Sequence, residues 1–158
     1  MAVTVQRAGP ADLGLAAALL AEYYEEIRVV HRDDPQAVDA LLSGQSGWMW
    51  IARATGSPAG CVVLRPLTLE EPALECKRLY VRSQHRGRRI ASALMDVLEQ
   101  FARELGASWV YLDTKDDLGP AIALYTARGY ERCERYNDNS QATIFFRKNL
   151  KPAAAAKG

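Results

Sequence analysis

The chain has 158 residues, 49% of them hydrophobic and 25% charged, the balance expected of one soluble domain with one core. Lys plus Arg number 20 and Asp plus Glu 19, so a formal charge of +1 exerts no global pull on nucleic acid or on an anionic membrane, and any anion site must be local. Cys61, Cys76 and Cys133 lack the paired spacing of a zinc site or a redox dithiol, which makes a reduced, cytoplasmic setting the expectation. No basic segment followed by an apolar run opens the chain, and no window approaches a membrane span.

In chain order, residues 3–7 alternate apolar and polar like a strand, and Pro10 opens an Ala- and Leu-rich helix over residues 11–30. Asp33, Asp34 and Pro35 cap a short helix to about Leu42, broken by Gly44 and Gly47. Residues 48–54 and 60–67 are β-rich runs joined by residues 55–59, which predicts an antiparallel hairpin. Residues 74–81 form the next strand, followed by a basic loop and a helix from about Gly87 to Leu105, with Ile90, Leu94, Leu98, Phe101 and Leu105 on one face. Residues 109–112 read as a buried strand, and Gly119-Pro120 starts a helix closed by Gly129. Residues 130–136 and 143–146 are the last strands, around the turn at 137–140. Residues 1–150 then make one domain, and 151–158 a disordered tail.

The junction between the strand at 74–81 and the helix that follows places free backbone N–H groups and a helix dipole beside Arg86, Arg88 and Arg89. A pyrophosphate suits such a site because it offers several oxygens to several donors at once; a solvated basic helix cap fits the loop alone equally well. The loop is not a nucleotide P-loop, since no Gly-Lys-Ser/Thr follows.

Leu79-Tyr80-Val81-Arg82 followed by Arg86-Gly87-Arg88-Arg89-Ile90-Ala91 resembles motif A of the GNAT superfamily of N-acetyltransferases, with Arg89 where the central glycine usually stands. The likeness continues through Leu112-Asp113-Thr114 and Ala121 to Tyr130, similar to motif B, with Leu118 in place of a frequent asparagine, and covers about residues 3–150. The resemblance implies an α/β fold: a mostly antiparallel twisted sheet of about seven strands with a splayed parallel pair and four flanking helices. It implies acetyl-CoA as cosubstrate and no metal. Backbone contacts to its pantetheine would come from Leu79, Tyr80 and Val81, and contacts to its pyrophosphate from Arg86, Gly87, Arg88, Arg89, Ile90, Ala91 and Ser92.

A thioester is an activated donor, so direct attack by an amine needs only a deprotonated amine, an oxyanion donor and protonation of the leaving thiolate. Glu75 aligns with the general-base glutamate of some family members, where desolvation would disfavour its charged form; pairing with Lys77 or Arg78 is the competing reading. Asp113 is the second candidate base, or a turn cap. Tyr125 matches the family tyrosine that protonates the thiolate. Cys76 is a weak candidate for a covalent intermediate, and Tyr23, Tyr24 and Tyr136 are candidate walls of the acceptor pocket. His31 and His85 stand alone, without a metal set.

The expected activity is acetyl transfer to a primary amine of a small molecule, with no nucleic-acid or membrane partner and with a homodimer through the late strands as an allowed assembly. Acetylation of protein N-termini or lysines, and a coenzyme A-binding module without turnover, are the alternatives.

Overall fold

Alternation at the start of the chain produces β1 (Val3–Arg7), which pairs antiparallel with β2 (Trp48–Ala54) from Val3↔Ala54 to Arg7↔Trp50. The computed structural model describes residues 2–151, so the tail expected at 151–158 lies outside the described residues from 152 onward. The later elements are α1 (Leu13–Ile27), α2 (Pro35–Leu42), β3 (Ser57–Leu67), β4 (Ala73–Val81), α3 (Ile90–Glu104), β5 (Trp109–Thr114), α4 (Gly119–Ala127), β6 (Glu131–Arg132) and β7 (Ile144–Asn149). This is the mixed α/β fold expected. Its seven strands run β1-β2-β3-β4-β5-β7-β6; β4 and β5 are parallel, whereas the β1–β2, β2–β3, β5–β7 and β6–β7 pairs are antiparallel.

The chain divides into two compact units, residues 1–66 with 76–98, and residues 67–75 with 99–158. In the first, a 3-10 turn (Pro10–Asp12) precedes α1, and the Asp12 carboxylate accepts the Gly9 N–H at 2.9 Å. The single helix expected over 11–30 is therefore shorter at both ends, and Arg28 stops it with a left-handed φ of 60°. Asp34 caps α2 as the sequence indicates, accepting from Ala37 N at 2.8 Å. The hairpin between β2 and β3 is tighter than expected, because Thr55 (φ 50°) and Gly56 (φ 82°) both take the left-handed conformation of a two-residue turn and β3 begins at Ser57. Ala16, Leu19, Leu20, Val38, Leu42, Met49 and Ile51 form the core, each large aliphatic chain stabilising it by about 1.5–3 kcal/mol on burial.

In the second unit β5 pairs with β7 from Trp109↔Asn149 to Thr114↔Ile144, so both strands outrun their predicted ends. The strand expected over 130–136 is cut to Glu131–Arg132: after Cys133 N donates to Phe145 O at 2.9 Å the chain leaves the sheet. The face of α3 also differs at its end, where Ala102 is buried and Leu105 is 50% exposed, beyond the last helical residue.

Gly60 on β3 meets the backbone of β4 so closely that a Cβ there would stand 2.3 Å from Tyr80 O. Gly60→Ala is expected to cost about 1–3 kcal/mol through overpacking, read as a fall of several degrees in the melting temperature.

Candidate active site

Arg82 follows β4, a 3-10 turn (Ser83–His85) continues the chain, and α3 begins at Ile90. Ile90, Ala91 and Ser92 open that helix, where N–H groups have no acceptor within the helix. Gly87 (φ 78°) and Arg89 (φ 60°) are both left-handed, a backbone conformation that occurs where successive N–H groups form anion-binding concavities. Arg89 thus adopts the conformation that the usual glycine would take, at the steric cost a side chain carries there. The loop residues Arg86, Gly87, Arg88 and Arg89 are exposed.

Two glutamates one helical turn apart on α1 receive the arginines of this segment. Glu22 pairs with Arg82 at 2.8 Å and accepts the Tyr80 hydroxyl at 3.0 Å. The Arg82 hydrogen bond holds the Glu22 carboxyl below its ordinary range, while burial and then Glu22 push the Tyr80 phenol up to about 12. Glu26 takes the Arg86 guanidinium at 2.6 Å, and Arg86 Nε donates to Val81 O at 2.9 Å. The Arg86 side chain, expected on a pyrophosphate, is thus engaged within the protein. Leu79 and Val81 are half-buried and Tyr80 is buried. Cys76 lies buried, its sulfur 3.8 Å from the Met95 thioether.

In the second unit the structure brings together the two carboxylates that the sequence offers as bases. Glu75, 3% exposed, is the last β4 residue in the parallel ladder, opposite Tyr111. Its Oε2 accepts from the Tyr136 hydroxyl at 2.8 Å and from Asn137 Nδ2 at 3.0 Å. Asn137 Nδ2 also lies 2.7 Å from Asp113 Oδ2, an oxygen that Asn139 Nδ2 approaches to 3.3 Å. The ring of Tyr136 packs tilted against Tyr111 at 4.9 Å and edge-to-face with Phe145 at 5.6 Å.

Tyr125 is buried on α4, its ring 5.8 Å from Tyr130 and 6.1 Å from Phe146. Behind it lies a charge cluster that the sequence reading misses. Glu99, 2% exposed, accepts from Tyr130 Oη at 2.8 Å, Lys148 Nζ at 2.9 Å and Arg128 Nη2 at 3.0 Å. Its one sequence signal is a glutamate beside the apolar stripe of Met95, Leu98 and Ala102. Among the described residues, no group of three His, Cys, Asp or Glu side chains is placed to hold a metal ion, and no helix is long and apolar enough to cross a membrane.

A mixed sheet with one parallel pair, whose β4 leads into a basic loop and a helix, is the fold that the sequence resemblance implies. The chain belongs to the acetyltransferase (GNAT) family, whose model matches residues 14–130. It is 33% identical over 143 residues to an uncharacterized N-acetyltransferase of Schizosaccharomyces pombe, covering 87% of each chain. It is 35% identical over 108 residues to N-acetyltransferase 8 of Mus musculus, covering 66% of this chain and only 48% of that longer protein. Among solved structures, an aminoglycoside acetyltransferase from an uncultured soil metagenomic sample superposes with a TM-score of 0.71 at 26% identity, over 87% of this chain and 97% of that one.

Burial pushes the Glu99 carboxyl up, but the hydrogen bonds from Arg128, Lys148 and Tyr130 outweigh it and hold the group below its ordinary value. A depressed folded-state value makes the contribution of Glu99 full above the unfolded value of about 4.3, and that contribution is lost as pH falls through the folded value. Glu99→Ala is expected to cost about 3–5 kcal/mol at neutral pH by taking the buried carboxylate away from Arg128, Lys148 and Tyr130. Denaturant titrations across the acid range should show the gap to wild type shrinking below about pH 4.

Proposed function

We propose that the chain transfers acetyl from acetyl-CoA to a primary amine of a small molecule, by direct attack in a ternary complex, and that residues 1–150 form one transferase domain for this reaction. The observation that carries the acceptor side is the buried Glu75, linked to Asp113 through one amide and flanked by tyrosine rings. Paired carboxylates attract an ammonium and accept its proton, and aromatic faces take the rest of a cationic acceptor. The aminoglycoside acetyltransferase among the similar structures is itself a transferase named for a small polyamine class, which supports the same kind of acceptor here.

The donor binds through the loop of residues 86–92. Donors at Ile90, Ala91 and Ser92 meet the pyrophosphate, Arg88 and Arg89 add charge, and the backbone of Leu79, Tyr80 and Val81 holds the pantetheine. The amine loses its proton to Glu75, with Asp113 as the second acidic group, and attacks the thioester carbonyl; as the C–S bond breaks the thiolate takes a proton from Tyr125, and the proton shed by the new amide nitrogen restores the phenol. Acetyl leaves sulfur and joins nitrogen with no covalent enzyme intermediate. A cytoplasmic setting accords with Cys61, Cys76 and Cys133 all being free thiols.

The Arg86–Glu26 pair is about half-exposed, with side-chain exposures of 47% and 42%. Such a pair contributes only about 0–1 kcal/mol, so Arg86 exchanges its carboxylate for a phosphate at little cost. Arg86→Gln is expected to raise the KM for acetyl-CoA about tenfold at low salt, and Glu26→Gln to lower it; unchanged KM values in both variants would remove the guanidinium from the phosphate site.

The reading as a whole is tested by thiol release from acetyl-CoA across a panel of amines and peptides. Wild type should turn over at least one small amine, with kcat/KM reduced by about 10²–10⁴ in Glu75→Gln and in Tyr125→Phe. Variants that match wild type on every accepted amine would reject these roles. Turnover confined to peptides would reject the small-molecule acceptor.

A further inference from the structure

Glu75 and Asp113 share one donor group. Asn137 Nδ2 stands 3.0 Å from Glu75 Oε2 and 2.7 Å from Asp113 Oδ2. A primary amide nitrogen carries two hydrogens, one for each contact. The amide cannot be reversed, because its Oδ1 accepts the Asn139 N–H at 3.1 Å. Exchanging N and O would press a carbonyl oxygen against two carboxylates and leave the backbone donor facing an NH2 group.

The turn that presents this amide holds itself in shape. Asn139 Oδ1 accepts the Gln141 N–H at 3.1 Å, and Arg135 Nη1 donates to Asn139 O at 2.9 Å. Asn137 therefore arrives between the carboxylates from an ordered loop, beside the Tyr136 hydroxyl that also donates to Glu75.

We infer that Asn137 is a positioning residue of the transfer reaction: its amide bridges Glu75 and Asp113 and so holds in place the carboxylate that takes the proton of the amine. This inference rests on Glu75 being that carboxylate. One amide spans both carboxylates, so the orientation of each depends on the turn that carries Asn137. The titratable and charged groups on the surrounding elements include Asp113 and Tyr111 of β5, Tyr136, and Arg147 of β7, whose Nη1 lies 3.3 Å from the Tyr111 hydroxyl.

Asn137→Asp isolates the role of the amide. It keeps side-chain size and the oxygen that accepts from Asn139 N, while replacing the shared donor with a third acidic group. Asn137→Ser keeps an acceptor for the turn, adds no charge and cannot span both carboxylates. With the best amine of the panel, Asn137→Asp should move the acid limb of kcat/KM upward by about one pH unit or more. Asn137→Ser should move it less in the same direction, with kcat reduced about tenfold or more and the KM for acetyl-CoA near wild type. Added to Glu75→Gln, Asn137→Ser should cause no further loss, as expected for residues acting as one unit.

Acid limbs of both variants that coincide with wild type, or a fully additive double variant, would overturn the inference. Glu75→Gln separates its failure from that of the underlying reading. If that variant abolishes the acid limb while the Asn137 variants leave it in place, the base stands and the clamp falls. If Glu75→Gln retains the wild-type limb and rate, the base reading falls and takes the clamp with it. Should Asn137→Asp not fold, the uncharged Asn137→Ser carries the same decision.

Discussion

At Arg78 the backbone of β4 takes a left-handed φ of 59°, a conformation that costs a residue with a side chain about 1–3 kcal/mol and persists only where the surroundings enforce it. Here they do so from several directions. The guanidinium pairs with Asp33 at 3.5 Å, donates to His31 O at 3.3 Å and lies 5.2 Å from the centre of the Tyr24 ring. The carbonyl of the same residue accepts the buried Cys61 thiol at 3.7 Å. An irregularity of this kind bends a strand and re-aims the side chains beyond it. Beyond it, Tyr80 and Arg82 both reach Glu22, and Arg86 reaches Glu26 one turn further along α1. The strained residue thus lies within the same strand that runs on into the basic loop.

The parts of this fold that are legible in sequence are those where local physics decides. β1 and β2 have their predicted limits because an alternating segment and an apolar run are each punctuated by Gly and Pro, and α2 begins where Asp34 and Pro35 cap it. The end of β6 is not legible in this way. Residues 133–136 look like a continuing strand, but Arg135 lies 4.6 Å from the centre of the Phe145 ring and donates to Asn139 O and Ala142 O. Those contacts, with the Tyr136 hydroxyl on Glu75, compete with ladder bonds and win. Side-chain chemistry that closes a distant site overrides local strand propensity.

The same distinction separates the candidate groups. Glu75, Asp113 and Tyr125 could be proposed from a linear pattern, whereas the groups around them could not. Asn137 meets Glu75 across 62 positions of sequence, and Glu99 meets Arg128, Tyr130 and Lys148 across 29, 31 and 49. A glutamate next to an apolar helical stripe reads as a boundary residue until two cations and a phenol are known to converge on it. Burying that carboxylate alone would be prohibitive. With all three donors in place it ties α3, the end of α4 and β7 into one arrangement, and the Tyr130 ring it anchors is the ring against which Tyr125 packs.

These observations divide recognition into two kinds of chemistry. In the proposed reaction the loop of residues 86–92 works mainly through backbone N–H groups, so residue identity there matters through the φ it permits; Arg89 takes a left-handed φ at a steric cost. The carboxylate cluster works through side chains at fixed distances, where one donor changed for an acceptor reverses the sign of an interaction. Substitutions in the loop should therefore grade the affinity for the donor, while substitutions around Glu75 should alter which amines react and at what pH. A backbone site is set by conformation and a side-chain site by residue identity, so under the proposed reaction the acceptor choice of this chain is to be sought in the turn that delivers Asn137 rather than in the loop that delivers Arg86.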